Sequence, residues 1–292
     1  MYLLWYNIFT VLNKCKKGKK MEDEKDITIH KRNEIIRGAN TYSLLAQRVG
    51  NAVYHHVQLN KVYKDEEFSM KINVIRSITG LDNNHNYIKV IEKAIMELAQ
   101  PIQLYNLDRI TGHRKRGHSM WQAVQFLHDP EIYKEGKDLF LRAKMSSLMR
   151  VLIASNEQGN FTPLVLNQHL NKVKSKHSYI LYEYMKSFED FNIVGNKIPL
   201  DFERLDHMFN LKYNKKYKYF SSFKQLLERC IEDLNDNTDM CVELSVNKSE
   251  KKYYIHRLKN KEEATRKKVR EQTYRGYDDH PLGKLTPPKK GK

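Results

Sequence analysis

Metal-ligand spacing is missing from this 292-residue chain. The three cysteines are Cys15, Cys230 and Cys241, and they form neither a C-x-x-C pair nor a zinc spacing. The twelve histidines contain no H-x-H and no H-E-x-x-H. The sequence therefore predicts no metal, no cofactor and no catalytic residue. So few cysteines favour a reducing, cytoplasmic setting, with Cys230 as a small core residue.

Long apolar runs are missing too. Residues 1–13 (MYLLWYNIFTVLN) are apolar, but a membrane-spanning helix needs about 20 such residues. The basic cluster KCKKGKK follows the apolar run, which is the reverse of a secretory signal. Residues 1–20 could be a weak membrane-surface anchor, or a leader or over-extended reading frame ahead of Met21. We favour the second interpretation, treat 1–26 as a leader and expect no membrane partner.

Positive charge, by contrast, is in large excess. The chain has 52 lysines and arginines against 35 aspartates and glutamates, which gives a net charge of +17. Such a surplus indicates a polyanionic partner, with nucleic acid first and an anionic membrane surface second. The hydrophobic fraction of 40% is typical of a globular protein. At about 100–200 residues per domain, the length predicts two domains.

An internal duplication is the strongest signal in the pattern. EKAIMEL (92–98) and ERCIEDL (228–234) correspond position by position, and NYIKVI (86–91) lies over SFKQLL (222–227). In both segments the apolar residues lie on one helical stripe, namely Tyr87, Val90, Ile91, Ala94, Ile95 and Leu98 in the first and Phe223, Leu226, Leu227, Cys230, Ile231 and Leu234 in the second. Chance similarity of two amphipathic helices is the alternative, but the surrounding elements also agree in order.

Those elements follow the winged-helix plan of helix, helix, helix and β-hairpin. The first copy is predicted as a helix within 31–62 with a possible break near Gly38, an extended piece at 68–72, helices at 73–79 and 86–99, and strands at 102–107 and 119–128, with 137–144 as a further strand. The second is predicted as helices at 176–191, 201–210 and 222–235, an extended piece at 197–200, and strands at 240–247 and 252–258. The predicted class is α+β, with two tandem winged-helix domains at 27–160 and 161–260 and a basic flexible tail at 261–292.

The polar side of the second copy carries the candidate DNA contacts. Ser222 followed by Gln225 fits a capping box at the start of the helix, which places Lys224 and Gln225 in its first turn. Gln can pair with adenine and Lys with guanine in the major groove. The full set in this copy is Lys215, Lys216, Lys218, Tyr219, Ser221, Ser222, Lys224, Gln225 and Arg229, with Lys248, Lys251 and Lys252 at the wing. An ordinary solvated face, or a winged helix that binds protein, would look similar.

The first copy offers a smaller set, Asn86, Lys89 and Lys93, so it could bind DNA more weakly or serve dimerisation. Its basic loop GHRKRGHS (112–119) nearly matches a phosphate loop, but His118 replaces the essential lysine and the segment joins two strands. We reject nucleotide binding and expect Arg114, Lys115 and Arg116 to contact backbone phosphates.

The segments FTPLVLNQHL (161–170), SKHSYILYEYMKSF (175–188) and SFKQLLERCIEDLN (222–235) resemble the initiator replication proteins of iteron plasmids, the Rep_3 or RepB-like family. In SKHSYILYEYMKSF, Ser175 is the expected N-cap, and Ile180, Leu181, Tyr184, Met185 and Phe188 are the expected apolar stripe. The resemblance covers about 27–260. It implies a non-enzymatic plasmid initiator that binds directly repeated double-stranded DNA at an origin, opens it as a monomer, represses its own gene as a dimer and recruits the host initiator and helicase. The first domain would supply most of the dimer contacts.

Two other functions stay open. A winged-helix transcriptional repressor without an origin function would carry the same basic helices. A strand-nicking rolling-circle initiator enzyme is disfavoured, because it would use a tyrosine with an H-x-H metal site.

Overall fold

The computed structural model describes residues 26–37, 41–62, 67–105, 121–154, 161–188, 197–211, 219–250 and 252–258. The first half contains β1 (Thr28–Arg32), α1 (Asn33–Ile36), α2 (Leu44–Leu59), β2 (Glu67–Lys71), α3 (Ile72–Ile78), α4 (Tyr87–Leu98), β3 (Pro101–Tyr105), β4 (Trp121–Gln125), β5 (His128–Glu135), β6 (Asp138–Lys144) and α5 (Ser147–Ala154). The second half contains β7 (Phe161–Val165), α6 (Lys176–Lys186), β8 (Lys197–Asp201), α7 (Phe202–Phe209), α8 (Phe220–Asn237), β9 (Val242–Asn247) and β10 (Lys252–Arg257).

Helix starts and stops follow local chemistry. Ser43, Ser175 and Asp201 cap α2, α6 and α7, since each side-chain oxygen accepts from the backbone N–H three residues later. Gly80 follows α3 with φ of +73°, a left-handed conformation that suits glycine. Gly50 lets α2 approach α4, because a Cβ there would lie 3.1 Å from Leu98 Cδ2. Capping side chains thus set where these helices begin, and a glycine sets how closely two of them pack.

The two halves repeat one topology. β2, β6 and β5 form a three-stranded antiparallel sheet in that order, and β8, β10 and β9 form the equivalent sheet. In each half a helix, a strand, two helices and the two wing strands follow one another, namely α2–β2–α3–α4–β5–β6 and α6–β8–α7–α8–β9–β10. The shared topology makes chance similarity of the two helices an inadequate explanation.

The predicted wing of the first copy is wrong. The strands predicted at 102–107 and 119–128 exist as β3 and β4, but within the described residues they pair only with each other. The hairpin that pairs with β2, as a wing must, is β5–β6. The first copy therefore carries an additional hairpin between its third helix and its wing. The alternation of apolar and polar residues does not show which of the two hairpins pairs with β2, because that pairing joins segments far apart in the chain.

A strand that sequence patterns missed joins the two halves. β1 pairs antiparallel with β7, from Thr28 opposite Val165 to Arg32 opposite Phe161. The segment predicted as a helix within 31–62 begins with the end of this strand and continues as two helices, α1 and α2, which lie on either side of the predicted break near Gly38. β5, α5 and β7 were not predicted as separate elements. Because the partner of β1 lies more than 100 residues away, no local periodicity could show it.

Helix α6 lies at the centre of the molecule. Residues 178–185 are all buried, including Tyr179, Tyr182 and Glu183, so the single apolar stripe predicted for this helix is only part of its buried surface. The helix ends at Lys186, earlier than the predicted 191, where the Ser187 hydroxyl donates to Tyr184 O at 2.7 Å. Phe188 follows, with the Arg37 guanidinium 4.4 Å from its ring centroid.

Candidate nucleic-acid interface

Helix α8 presents a polar face opposite a buried stripe. Its buried residues are Phe223, Leu226, Leu227, Cys230, Ile231 and Leu234, as the sequence predicts. The exposed residues toward its N-terminal end are Ser221, Lys224, Gln225, Glu228 and Arg229, and Ser222 is half-buried. Because the stripe is packed into the core, these polar side chains are the ones available to a partner.

Contacts at both ends fix α8 in place. The Tyr253 phenol in wing strand β10 donates to Phe220 O, and the two rings stack with centroids 4.4 Å apart. Further along, the Asp233 carboxylate accepts from the backbone N–H groups of Lys174 and Ser175, at 3.0 Å and 3.2 Å from Oδ2. The first contact ties the helix start to the wing, and the second ties its other half to the start of α6. The polar face is therefore held at a defined orientation.

The capping box predicted at Ser222 is wrong. Helix α8 starts at Phe220 with Tyr219 as its N-cap, and the N–H groups of Ser222 and Phe223 both donate to Tyr219 O. Ser222 thus lies within the first turn, and Lys224 and Gln225 lie in the second turn, not the first. The helix starts two residues earlier than predicted because the Phe220 ring stacks on Tyr253, which holds Phe220 in the first turn of α8.

Charge along α8 runs against the helix dipole. Lys224 precedes all of the acids of α8, which are Glu228, Glu232, Asp233 and Asp236. The first turn holds no acidic residue, and the last turn holds Asp236 and no basic residue. Helices are stabilised by the opposite distribution, acidic at the N-terminus and basic at the C-terminus. An arrangement that disfavours the isolated helix is the kind of local conflict that marks a functional surface. Lys224 in the second turn lies toward the end that a winged helix inserts into the major groove, and Arg229 lies in the middle of the helix.

Two intrahelical contacts hold the polar side chains in the free protein. Lys224 Nζ lies 3.3 Å from Glu228 Oε1, with both side chains about half exposed. Arg229 Nε donates to Gln225 O at 3.1 Å. Exposed pairs of this type are worth only about 0.3–0.5 kcal/mol, so the side chains can rearrange on a ligand.

The wing supplies a second basic point. Lys248 is exposed in the turn between β9 and β10, where the Asn247 carboxamide accepts from the N–H groups of Ser249 and Glu250 at 3.1 Å and 3.3 Å. Lys252 Nζ lies 3.8 Å from Glu250 Oε2 and is also exposed. The structure thus places Lys248 and Lys252 at the tip and base of the wing turn.

The third helix of the first copy also exposes a polar face opposite a buried stripe. Lys89 and Lys93 are exposed on α4, opposite a stripe of buried residues that ends at Leu98. Asn86 is exposed at the N-cap, and its backbone N–H donates to Asn84 Oδ1 at 2.8 Å. Met96 is 61% exposed on the same helix. The exposed face of α4 therefore combines lysines with a large apolar side chain, which the exposed face of α8 does not.

Part of the predicted set lies outside the described residues, namely Lys215, Lys216, Lys218, Lys251, Arg114, Lys115 and Arg116. Of the rest, Tyr219 is 65% exposed and borders α8. Glu228 was missed, although its position four residues after Lys224 on the predicted polar side was a readable signal. Among the described residues, no group of three or more His, Cys, Asp or Glu side chains could hold a metal ion. No helix in the described ranges is both long and apolar enough to span a bilayer.

Comparison with known proteins agrees with this architecture. The family model described as "Initiator Replication protein, WH1" matches residues 28–186, and the one described as "Initiator Rep protein, WH2" matches residues 201–259. Together they confirm the predicted class of two tandem winged-helix domains. No curated protein sequence matches this chain.

Two solved structures align with this chain. The Pi initiator protein in complex with iteron DNA aligns with a TM-score of 0.59 at 16% identity, covering 81% of this chain and all of that one. Domains 2 and 3 of RctB align with a TM-score of 0.48 at 13% identity, covering 74% of this chain and 82% of that one. The model of the first winged helix alone spans more than half of this chain, and so the protein belongs to the family of initiator replication proteins.

Proposed function

We propose that this protein initiates plasmid replication by binding directly repeated double-stranded DNA at an origin. The observation that carries the proposal is α8, the third helix of a winged helix, which packs an apolar stripe into the core and exposes Lys224, Gln225 and Arg229 on its other side. The solved Pi initiator, which shares the fold, is bound to iteron DNA. The net charge of +17 supports a DNA partner in general.

The second winged helix is the main DNA-reading domain in this proposal. Its α8 exposes Gln225, which can pair with a base edge, between Lys224 and Arg229, whereas α4 of the first winged helix exposes Lys89 and Lys93 beside the apolar Met96. The first domain then adds phosphate contacts and serves dimerisation. We keep the division at 27–160 and 161–260, with a flexible tail at 261–292, as a prediction.

The finer steps follow the family resemblance. A monomer opens the origin, a dimer represses the protein's own gene, and the bound protein recruits the host replication initiator and helicase. The protein acts in the cytoplasm and is not itself an enzyme. A winged-helix repressor without an origin function would make the same DNA contacts and is the second candidate.

Selection of DNA from a random pool by the purified full chain tests the proposal. One enriched motif is expected. The plasmid DNA that flanks the gene should carry tandem copies of this motif, about twenty base pairs apart. A plasmid that holds these repeats and the gene should replicate, and deletion of the repeats should abolish replication. A single isolated operator with no repeats would favour the repressor. Absence of any enriched motif would contradict both, and a covalent protein–DNA adduct would indicate a strand-nicking enzyme.

A further inference from the structure

Glu228 places a negative charge between the two exposed cations of α8, Lys224 and Arg229. It is exposed and lies one turn after Lys224, on the same side of α8 as Gln225. A carboxylate on a surface that approaches phosphates weakens binding to DNA of any sequence, because like charges repel at close range. A helix whose only role is general DNA affinity gains nothing from it.

Helix stability does not explain this carboxylate either. The Lys224–Glu228 ion pair has side chains 47% and 51% exposed, so solvent screens it. The order along the chain is lysine first and glutamate four residues later, which is the less favourable orientation of an i,i+4 pair. At 3.3 Å the pair instead keeps the Lys224 ammonium occupied in the free protein.

A carboxylate can gain only one kind of contact in the major groove. It is an acceptor, and the base-edge donors there are the exocyclic amino groups of cytosine and adenine. Glutamate accepts from cytosine N4, whereas Gln and Asn suit adenine better because they also donate. When Glu228 contacts a base in this way, its ion pair with Lys224 breaks, and the Lys224 ammonium can contact a guanine or a phosphate.

We propose that Glu228 is a specificity-determining residue, which accepts from a cytosine amino group in the cognate site and repels DNA that lacks this cytosine. This inference rests on the proposed function, because it assumes that α8 enters the major groove of double-stranded DNA. It adds a penalty against wrong sequences to the attractive contacts of Gln225 and Arg229. Discrimination built from both terms is larger than either term alone.

The test compares Glu228→Gln and Glu228→Ala in the full chain with the control Glu232→Gln. Glu232 is an exposed carboxylate one turn further along the same helix, so the control changes the charge of α8 by the same amount. Affinity is measured for the selected duplex, for a scrambled duplex and for a set in which each C·G pair of the selected site is replaced in turn.

Both Glu228 variants should bind the scrambled duplex more tightly than the wild type. Their ratio of cognate to scrambled affinity should fall by about tenfold, the equivalent of one good base contact. Sensitivity to replacement should vanish at one C·G pair and persist at the others. Glu232→Gln should keep the wild-type sensitivity at every pair.

Three results would overturn the inference. Equal gains on cognate and scrambled duplexes, with every base preference retained, would reduce Glu228 to a general electrostatic effect. Unchanged affinities would remove it from the interface. The same loss of sensitivity at a C·G pair in Glu232→Gln would show that the net charge of α8, and not the position of Glu228, determines the preference. Failure of the proposed function is distinguishable, because a wild-type chain that does not prefer the selected duplex would fail before any variant is compared.

Discussion

Lys31 and Glu183 form a buried ion pair between the two halves of the chain. Lys31 Nζ in β1 lies 2.9 Å from both carboxylate oxygens of Glu183 in α6, and the two residues are 7% and 2% exposed. Asn51 Nδ2 in α2 donates to Glu183 Oε1 at 3.1 Å and to the Tyr179 hydroxyl at 2.6 Å. Three elements of different halves therefore meet at one carboxylate. The pair fixes the first helix of the second winged helix against the first.

Breaking this pair should destabilise the protein severely. Glu183→Ala leaves the Lys31 ammonium buried without its counter-charge, so the free energy of unfolding in urea should fall by about 3–5 kcal/mol. The double variant Lys31→Met, Glu183→Leu removes both charges and should lose much less. As a control, Asp138→Asn breaks the Lys71–Asp138 pair, whose side chains are 51% and 40% exposed, and should cost less than about 1 kcal/mol. Equal losses for Glu183→Ala and Asp138→Asn would contradict the assignment.

His177 should make the fold sensitive to mild acid. Burial, together with the positive charges of Lys176 and Arg229, lowers the pKa of this imidazole from 6.5 to about 4. Its ring packs edge-on against Phe209, with centroids 5.1 Å apart. Because the unfolded chain takes up the proton first, His177 contributes a loss of stability as the pH falls from 6.5 toward 4.

The free energy of unfolding of the His177→Gln variant, measured across this pH range, checks that sign. Its slope against pH should be smaller than in the wild type by up to about one proton. Other groups in the chain titrate in both proteins, so the difference between the two profiles isolates His177. Parallel profiles would show that the imidazole is not held neutral by the fold.

The first winged helix should contribute phosphate contacts. Replacing exposed Lys89 and Lys93 on α4 by alanine should weaken cognate and scrambled duplexes alike, and should lower the slope of log K against log salt by up to about two units. Binding isotherms at several salt concentrations measure this slope. An unchanged slope with altered sedimentation would indicate that α4 serves dimerisation instead of DNA.

Periodicity was a sufficient guide where one face of an element is buried by its own domain. All six residues predicted for the stripe of α8 are buried, and so are four of the six predicted for α4, where Tyr87 and Val90 are half-buried. The N-cap at Ser175 was equally local, since its hydroxyl accepts from Ser178 N at 3.0 Å. Gln225 and Arg229 were found as the polar remainder of the same pattern.

Long-range choices were not visible in the sequence. β1 pairs with β7, and the wing of the first copy is the hairpin that pairs with β2, and both depend on partners far along the chain. Glu183 reads as a surface residue, yet it is buried because Lys31 lies 152 positions away. The start of α8 differs from the predicted one because Phe220 stacks on Tyr253, a contact that no local capping pattern predicts.

Binding by the Gln225→Ala variant tests most directly whether α8 reads bases. Gln225 is exposed in the second turn of α8 and lies off the buried stripe, so truncation spares the fold. The matched variant is Lys248→Ala, which removes an exposed cation at the wing tip. Both are titrated on the selected and scrambled duplexes at several salt concentrations.

Gln225→Ala should cost about 1–3 kcal/mol on the selected duplex and leave the scrambled duplex nearly unchanged. Lys248→Ala should weaken both and lower the salt slope by about one unit. Lys216 lies outside the described residues, and we expect the Lys216→Ala variant to behave like Lys248→Ala. An equal loss on both duplexes for Gln225→Ala, with a loss on the selected duplex alone for Lys248→Ala, would contradict the assignment of α8 as the base-reading helix.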